Sequence, residues 1–219
     1  MRFDLLEIAV KIALFFVPFL FAISFHEFAH GFVAKLKGDR TAEQMGRLSM
    51  SPLAHVDWLG TVALPIIAII TQLPLFGWAK PVPVNPRNLR DPKNDMFWVA
   101  LAGPLSNIFL FLVGLFLIFV LSQVNIGSAS AALAQMLIMF LYINLYLAIF
   151  NLLPLHPLDG GKIFQRFLPF EANRWLEENQ STLNMILFVL IIIGGLRYMA
   201  MPVDFIVRHS LALIPSGGL

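Results

Sequence analysis

The sequence predicts an all-α polytopic membrane protein. Of its 219 residues 58% are hydrophobic and 13% charged, about half the charged share of an ordinary soluble domain. Several apolar runs approach the roughly 20 residues that cross a hydrocarbon core about 30 Å thick. The runs are separated by short stretches dense in Pro, Gly, Asn and Asp, which end helices and leave no room for a large soluble module. The expectation is a single domain over residues 1–219, with a core at 12–163 and a C-terminal span and tail at 181–219. It would contain about four to five transmembrane helices, a re-entrant segment and room for a short β element.

The elements follow in order. The opening MRFDLLEIAVKIALFFVPFL carries acidic residues in its polar lead and stays apolar past any small-residue cleavage site. It reads as a retained span rather than a cleaved signal peptide. The first apolar run lies between Lys11 and Lys35, broken only by His26, Glu27 and His30. The polar stretch KLKGDRTAEQMGRLSMSPLAHVDW reads as loop, with a short strand at Arg47–Met50. LGTVALPIIAIITQLPLFGWA is uncharged but holds Pro65 and Pro74, and KPVPVNPRNLRDPKND is too rich in proline for a helix. MFWVALAGPLSNIFLFLVGLFLIFVL and AALAQMLIMFLYINLYLAIFNLL read as spans, the second stopping at PLHPLDGGK. A short amphipathic piece around Phe164–Asn179 leads into STLNMILFVLIIIGGL, and the apolar tail from Pro202 suits a membrane surface.

Charge orients these spans. Lys35, Lys37, Arg40 and Arg47 follow the first run; Lys80, Arg87, Arg90 and Lys93 lie in the Pro-rich loop; Lys162, Arg166 and Arg174 follow LDGG; SQVNIGSAS has none. If residues 59–77 dip into the bilayer and return, all three basic segments share one face, the cytoplasmic one. If they cross, as their length and the flanking Trp58 and Trp78 allow, the first two basic loops fall on opposite faces. The net charge of +2, with no basic run interleaved with aromatics, excludes nucleic acid as a partner. The absence of cysteine excludes disulfides, thiolate nucleophiles and Cys-based metal sites. The sequence assigns no oligomeric state.

The stretch ISFHEFAHGF carries the chemistry. An ionisable side chain at membrane depth costs roughly 2.5–3.5 kcal/mol, and here three stand within five residues. His26 and His30, at i and i+4, project from one face of a helix and can hold one metal ion. Glu27 beside them can reach a water on that ion. This is the H-E-x-x-H pattern, with the glutamate as general base. A catalytic zinc takes a third protein ligand and keeps a fourth position open. NLLPLHPLDGG offers Asp159 and His156, with Asp159 favoured, on irregular backbone that is tolerated at membrane depth only where buried or lining a cavity. His55, His156 and His209 read as packing or surface histidines. The two motifs meet most readily if the first span and the one beginning near Ala131 run parallel, which the re-entrant alternative gives.

HEFAH in a span, AGPLSN opening the next core helix, and FNLLPLHPLDGG together resemble the site-2 proteases, intramembrane zinc metalloproteases. The resemblance extends from about Ile12 to Ile163. GRLSMSPLAHVDWLGT and GWAKPVPVNP resemble the small bacterial and archaeal members that lack an appended PDZ or CBS domain. It implies that His26, His30 and Asp159 bind Zn2+, that Glu27 is the catalytic acid/base, and that Asn151 holds substrate near the metal. The implied activity is hydrolysis of a peptide bond in or near a transmembrane helix, in regulated intramembrane proteolysis. The partners would be a transmembrane-protein substrate and the lipid bilayer, in a multi-pass cell-membrane protein with its active site towards the cytoplasmic side. The opened substrate would add to an edge strand offered by Gly46–Met50 and the re-entrant segment. His156 departs from the family's usual proline. The alternatives are a divalent-metal transporter, which would need more polar groups along its spans, and a non-catalytic zinc-binding scaffold, which would not need Glu27.

Overall fold

The computed structural model describes residues 5–71, 77–124, 129–195 and 197–214. Its helices are α1 Leu5–Leu36, α2 Thr41–Gln44, α3 Leu64–Thr71, α4 Pro92–Ser122, α5 Ala129–Asn151, α6 Asp159–Gln165, α7 Phe170–Glu178, α8 Gln180–Ile192 and α9 Arg197–Ala212. A π-helical turn, Trp58–Ala63, runs into α3. Among the described residues, three stretches are long and apolar enough to cross a membrane: Ile12–Leu36, Pro92–Ser122 and Ala131–Asn151. The protein is thus an all-α polytopic membrane protein.

These three helices form the core. α1 and α4 run antiparallel, pairing His26 with Asn107 and His30 with Val99. α5 runs with α1: Phe15, Phe19 and Ile23 pack on Ile143, Met139 and Leu147, and Asp159, beyond the end of α5, reaches His26 and His30. Lipid tails are as apolar as leucine, so helices in a bilayer associate through close packing and interhelical hydrogen bonds. Both are present: Ala22 and Ala148 are fully shielded small residues on α1 and α5, and Asn107 Nδ2 donates to Asn144 Oδ1 at 2.9 Å between α4 and α5. Val17, Phe21, Phe32, Leu112 and Phe116 point outward, as a lipid solvent requires.

Residues 37–91 leave and return at one end of the bundle. Arg90 N–H donates to the Lys37 carbonyl at 3.1 Å, and Lys37 Nζ pairs with Asp95 Oδ1 at 2.9 Å. Within this excursion the helical stretch Trp58–Thr71 spans about 21 Å at 1.5 Å per residue, short of the roughly 30 Å core. Trp78 N–H donates to the Gly60 carbonyl at 3.2 Å, so the two ends of the apolar segment meet. Pro74 and its neighbours, 72–76, lie outside the described residues.

No strand occurs among the described residues, Arg47–Met50 included. The segment alongside, 80–83, cannot complete a ladder. Pro81 and Pro83 have no N–H, and the Arg47 guanidinium occupies the Lys80 and Pro81 carbonyls at 2.9 and 3.2 Å. The last apolar run also differs from expectation. α8 stops at Ile192, and Gly194 turns the chain at φ +87°. α9 then continues through Pro202 and buries Val203 and Val207 against Phe111, Ile118, Leu141 and Leu145.

Asp39 clasps the excursion to the end of α1. It is almost fully shielded and accepts from Thr41 N–H, Thr41 Oγ1, Asn85 N–H and Asn88 Nδ2. Burial pushes its pKa upward, but the donors from Thr41, Asn85 and Asn88 outweigh that and hold the carboxyl below its ordinary value. A depressed folded-state pKa contributes stability that is complete above the ordinary aspartate value, about 3.9, and is lost as pH falls through the folded value. Asp39→Ala removes the acceptor and strands the Asn85 N–H, with an expected cost of about 3 kcal/mol at pH 7. Thermal unfolding in detergent micelles checks this. The gap between wild type and variant should narrow below pH 4, and an unchanged melting point at pH 7 would contradict the clasp.

Candidate metal centre

The site begins with two imidazoles one turn apart on α1. Their ring centroids lie 4.6 Å apart with the planes nearly perpendicular, at 86°. α4 fixes both: His30 Nδ1–H donates to the Val99 carbonyl at 2.7 Å, and His26 Nδ1–H donates to Asn107 Oδ1 at 2.6 Å. A main-chain carbonyl can only accept, so His30 must carry its proton on Nδ1. The Asn107 orientation follows from its own bonds, since Nδ2 donates to Asn144 Oδ1 at 2.9 Å and towards the Ala22 carbonyl at 3.4 Å. Asn144 Nδ2 in turn donates to the Phe140 carbonyl at 2.9 Å. With its proton on Nδ1, a neutral ring turns an Nε2 lone pair to the far side.

Those lone pairs converge with a third. The two Nε2 atoms are 3.0 Å apart, and Asp159 Oδ2 lies 3.1 Å from one and 3.2 Å from the other. His26, His30 and Asp159 are each less than one-tenth exposed, and Asp159 Oδ2 has no hydrogen-bond donor. Three potential ligand atoms thus face one another away from water, and one cation can be shared by all of them. Zinc bonds of about 2.0–2.1 Å in a tetrahedral site separate ligand atoms by about 3.3 Å, close to the spacing found here. The two nitrogens and one oxygen are a donor set that suits zinc. The cluster can therefore coordinate a metal ion, and among the described residues no other group of three or more His, Asp or Glu side chains comes together in this way.

Two glycines make the convergence possible. A Cβ on Gly103 would stand 2.4 Å from His30 Nε2 and 2.6 Å from His26 Cε1, so α4 can pass the imidazoles only without a side chain there. A Cβ on Gly160 would stand 2.1 Å from the Leu153 carbonyl oxygen, so the start of α6 can fold back over residues 152–155 only as glycine. That fold carries Asp159 to α1.

Glu27 is half-buried beside the cluster, and its Oε2 accepts the Val82 N–H at 2.7 Å. Asn151, at the end of α5, donates from Nδ2 to the Leu147 carbonyl at 3.0 Å. The remaining histidines stand apart from the cluster. His55 is buried and donates from Nε2 to the Ser49 carbonyl at 2.7 Å. His156 pairs with Gln165 Nε2 at 2.9 Å, and His209 stacks on Phe205. Reading the residues alone gave no role to Asn107, Asn144, Val99, Gly103 or Val82. The available signal was two asparagines and a Gly-Pro inside otherwise apolar runs.

Two substitutions test this arrangement by equilibrium zinc binding. Asn107→Leu removes the acceptor that orients His26 and should weaken zinc affinity about 10–100-fold. Gly103→Ala drives a methyl group into the space between the rings and should weaken binding at least as much. Wild-type affinity in both variants would contradict the geometry.

No solved structure matches the chain. The Putative zinc metalloprotease YwhC of Bacillus subtilis (strain 168) is 36% identical over 156 residues, covering 70% of this chain and 68% of that protein. The profile of Peptidase family M50 matches residues 14–194, a stretch that holds HEFAH, AGPLSN and LDGG. Matched over that length, with a buried His–His–Asp cluster at its centre, the chain belongs to peptidase family M50, the site-2-protease-like zinc metalloproteases.

Proposed function

We propose that this metalloprotease cleaves a transmembrane-protein substrate within the membrane, with His26, His30 and Asp159 holding Zn2+, Glu27 moving the proton and Asn151 holding the substrate. The observation that carries the reading is the convergence of three potential metal-ligand atoms at 3.0–3.2 Å, next to a carboxylate, inside a bundle of membrane-length helices. Zinc, when bound, supplies the Lewis acidity that activates water and polarises a carbonyl at neutral pH. Glu27 has one oxygen engaged by Val82 N–H, leaving the other to take a proton from the attacking water and return it to the leaving nitrogen. Asn151 uses one amide proton on Leu147, and its second can hold a substrate carbonyl.

Other features support a substrate arriving from the lipid. A cavity of about 760 Å3 lies between α1, α5 and α9, lined by Phe15, Phe19, Tyr146, Phe150 and Val203, and its Phe150 end adjoins Asn151. A substrate helix must unwind before its peptide bonds can be attacked. Residues 46–50 and the re-entrant segment would offer the edge that receives the opened chain. The re-entrant reading of 59–77 is favoured by the Trp78–Gly60 and Arg90–Lys37 hydrogen bonds. With it, the basic segments share one face, and the site would open towards the cytoplasm.

The test pairs two variants. Glu27→Gln should lower peptide hydrolysis by about a hundredfold or more while zinc content and melting temperature stay at wild-type values. Asp159→Ala should lose zinc, read by mass spectrometry on detergent-purified protein. Proteolysis surviving Glu27→Gln would remove Glu27 from the mechanism, and undiminished zinc in Asp159→Ala would remove that residue from the ligand set.

A further inference from the structure

The segment Lys80-Pro81-Val82-Pro83-Val84 lies against α1 beside the metal cluster. Pro81 and Pro83 carry no N–H, so Val82 supplies the one backbone donor across these three residues. That donor goes to Glu27 Oε2 at 2.7 Å. Both flanks of the segment are tied down. Lys80 N–H donates to the His55 carbonyl at 2.8 Å, and the Arg47 guanidinium holds the Lys80 and Pro81 carbonyls. On the other side Asn85 N–H donates to Asp39 Oδ2 at 2.7 Å. The Val82 side chain is buried, and a residue preceding proline is confined to extended backbone. The amide is therefore fixed before any substrate arrives.

We infer that the Val82 amide is the positioning group for Glu27. A glutamate side chain has three rotatable bonds, and its two oxygens exchange freely unless one is held. A charge-assisted hydrogen bond from a rigid main-chain donor selects one rotamer and assigns the oxygens different tasks: Oε2 is anchored and Oε1 is left to handle the proton. The flanking prolines keep the donor single and prevent the segment from pairing as a strand. The inference rests on the proposed role of Glu27, and its test separates the two.

The experiment uses the full-length, zinc-loaded chain in detergent micelles, with fluorescently labelled casein as substrate and acetohydroxamate as a probe of zinc and its neighbouring carboxylate. Val82→Pro deletes the N–H while keeping an extended backbone; Val82→Ala keeps the N–H and trims the side chain. Val82→Pro should lower kcat about tenfold to a hundredfold, with KM and zinc content within about threefold of wild type, and weaken hydroxamate binding by about tenfold. Val82→Ala should stay within about threefold in every readout. Equal kcat in the two variants, or a loss confined to KM, would overturn the inference. If Val82→Pro fails to fold, the valine α-hydroxy acid placed at 82, which replaces the N–H by an ester oxygen, decides by the same criteria. Glu27→Gln runs alongside. If it is inactive while Val82→Pro matches Val82→Ala, the positioning role alone is wrong; if it is fully active, the role of Glu27 and this inference fall together.

Discussion

Each histidine of HEFAH gives its Nδ1 proton to α4, and the rest of the site depends on that donation. The Val99 carbonyl and the Asn107 side chain turn both Nε2 atoms towards Asp159 and leave them as the atoms a metal can use. Had either imidazole been free to choose its tautomer, an Nε2–H could have satisfied Asp159 directly, and that ring would have had no lone pair to offer a cation. Fixed as they are, the rings and the carboxylate can share one positive charge. The demand extends outward. α4 must come close enough to accept from both rings, which Gly103 permits, and α5 must tie to the same point through Asn144.

A second constraint is one of direction. Asp159 can meet the histidines only if α5 runs with α1, and with α4 antiparallel between them the chain must leave α1 and begin α4 at the same end. Residues 37–91 satisfy this, closed at the base by the Arg90–Lys37 hydrogen bond and the Lys37–Asp95 ion pair. The excursion is also the source of the Val82 donor on Glu27. The clasp at Asp39 therefore does more than tidy a loop, since it holds one flank of the segment that bonds Glu27. Connection, metal ligation and carboxylate placement are three consequences of one path of the chain.

The ligand cluster was legible in the sequence because ionisable groups are costly at membrane depth. His26, Glu27 and His30 stand out from an apolar run for that reason, and Asp159 stands out through the helix-breaking residues around it. The three membrane-length helices were legible from hydropathy. What supports the ligands was not. The Val99 carbonyl and the Val82 amide are main-chain atoms present in every residue, and only the fold tells which ones are used. Asn107 and Asn144 are uncharged and modest in cost, so they read as tolerated polar residues until their partners appear. The strand expected at Arg47–Met50 rested on local propensity, whereas its neighbour's prolines decide whether a ladder can form. The early end of α8 at Ile192 was not legible because Ile193, Gly194 and Gly195 continue the apolar run that closes at Leu196.

The central claim is that two neutral imidazoles and one carboxylate, oriented from α4 and the α5–α6 connection, hold a single zinc ion. Zinc K-edge X-ray absorption on the stoichiometrically loaded protein measures this most directly. The account predicts a four-coordinate first shell at about 2.0–2.1 Å made of nitrogen and oxygen, with multiple-scattering features from two imidazoles. A six-coordinate shell of oxygen with one imidazole or none would show zinc bound elsewhere on the chain, and would contradict the account.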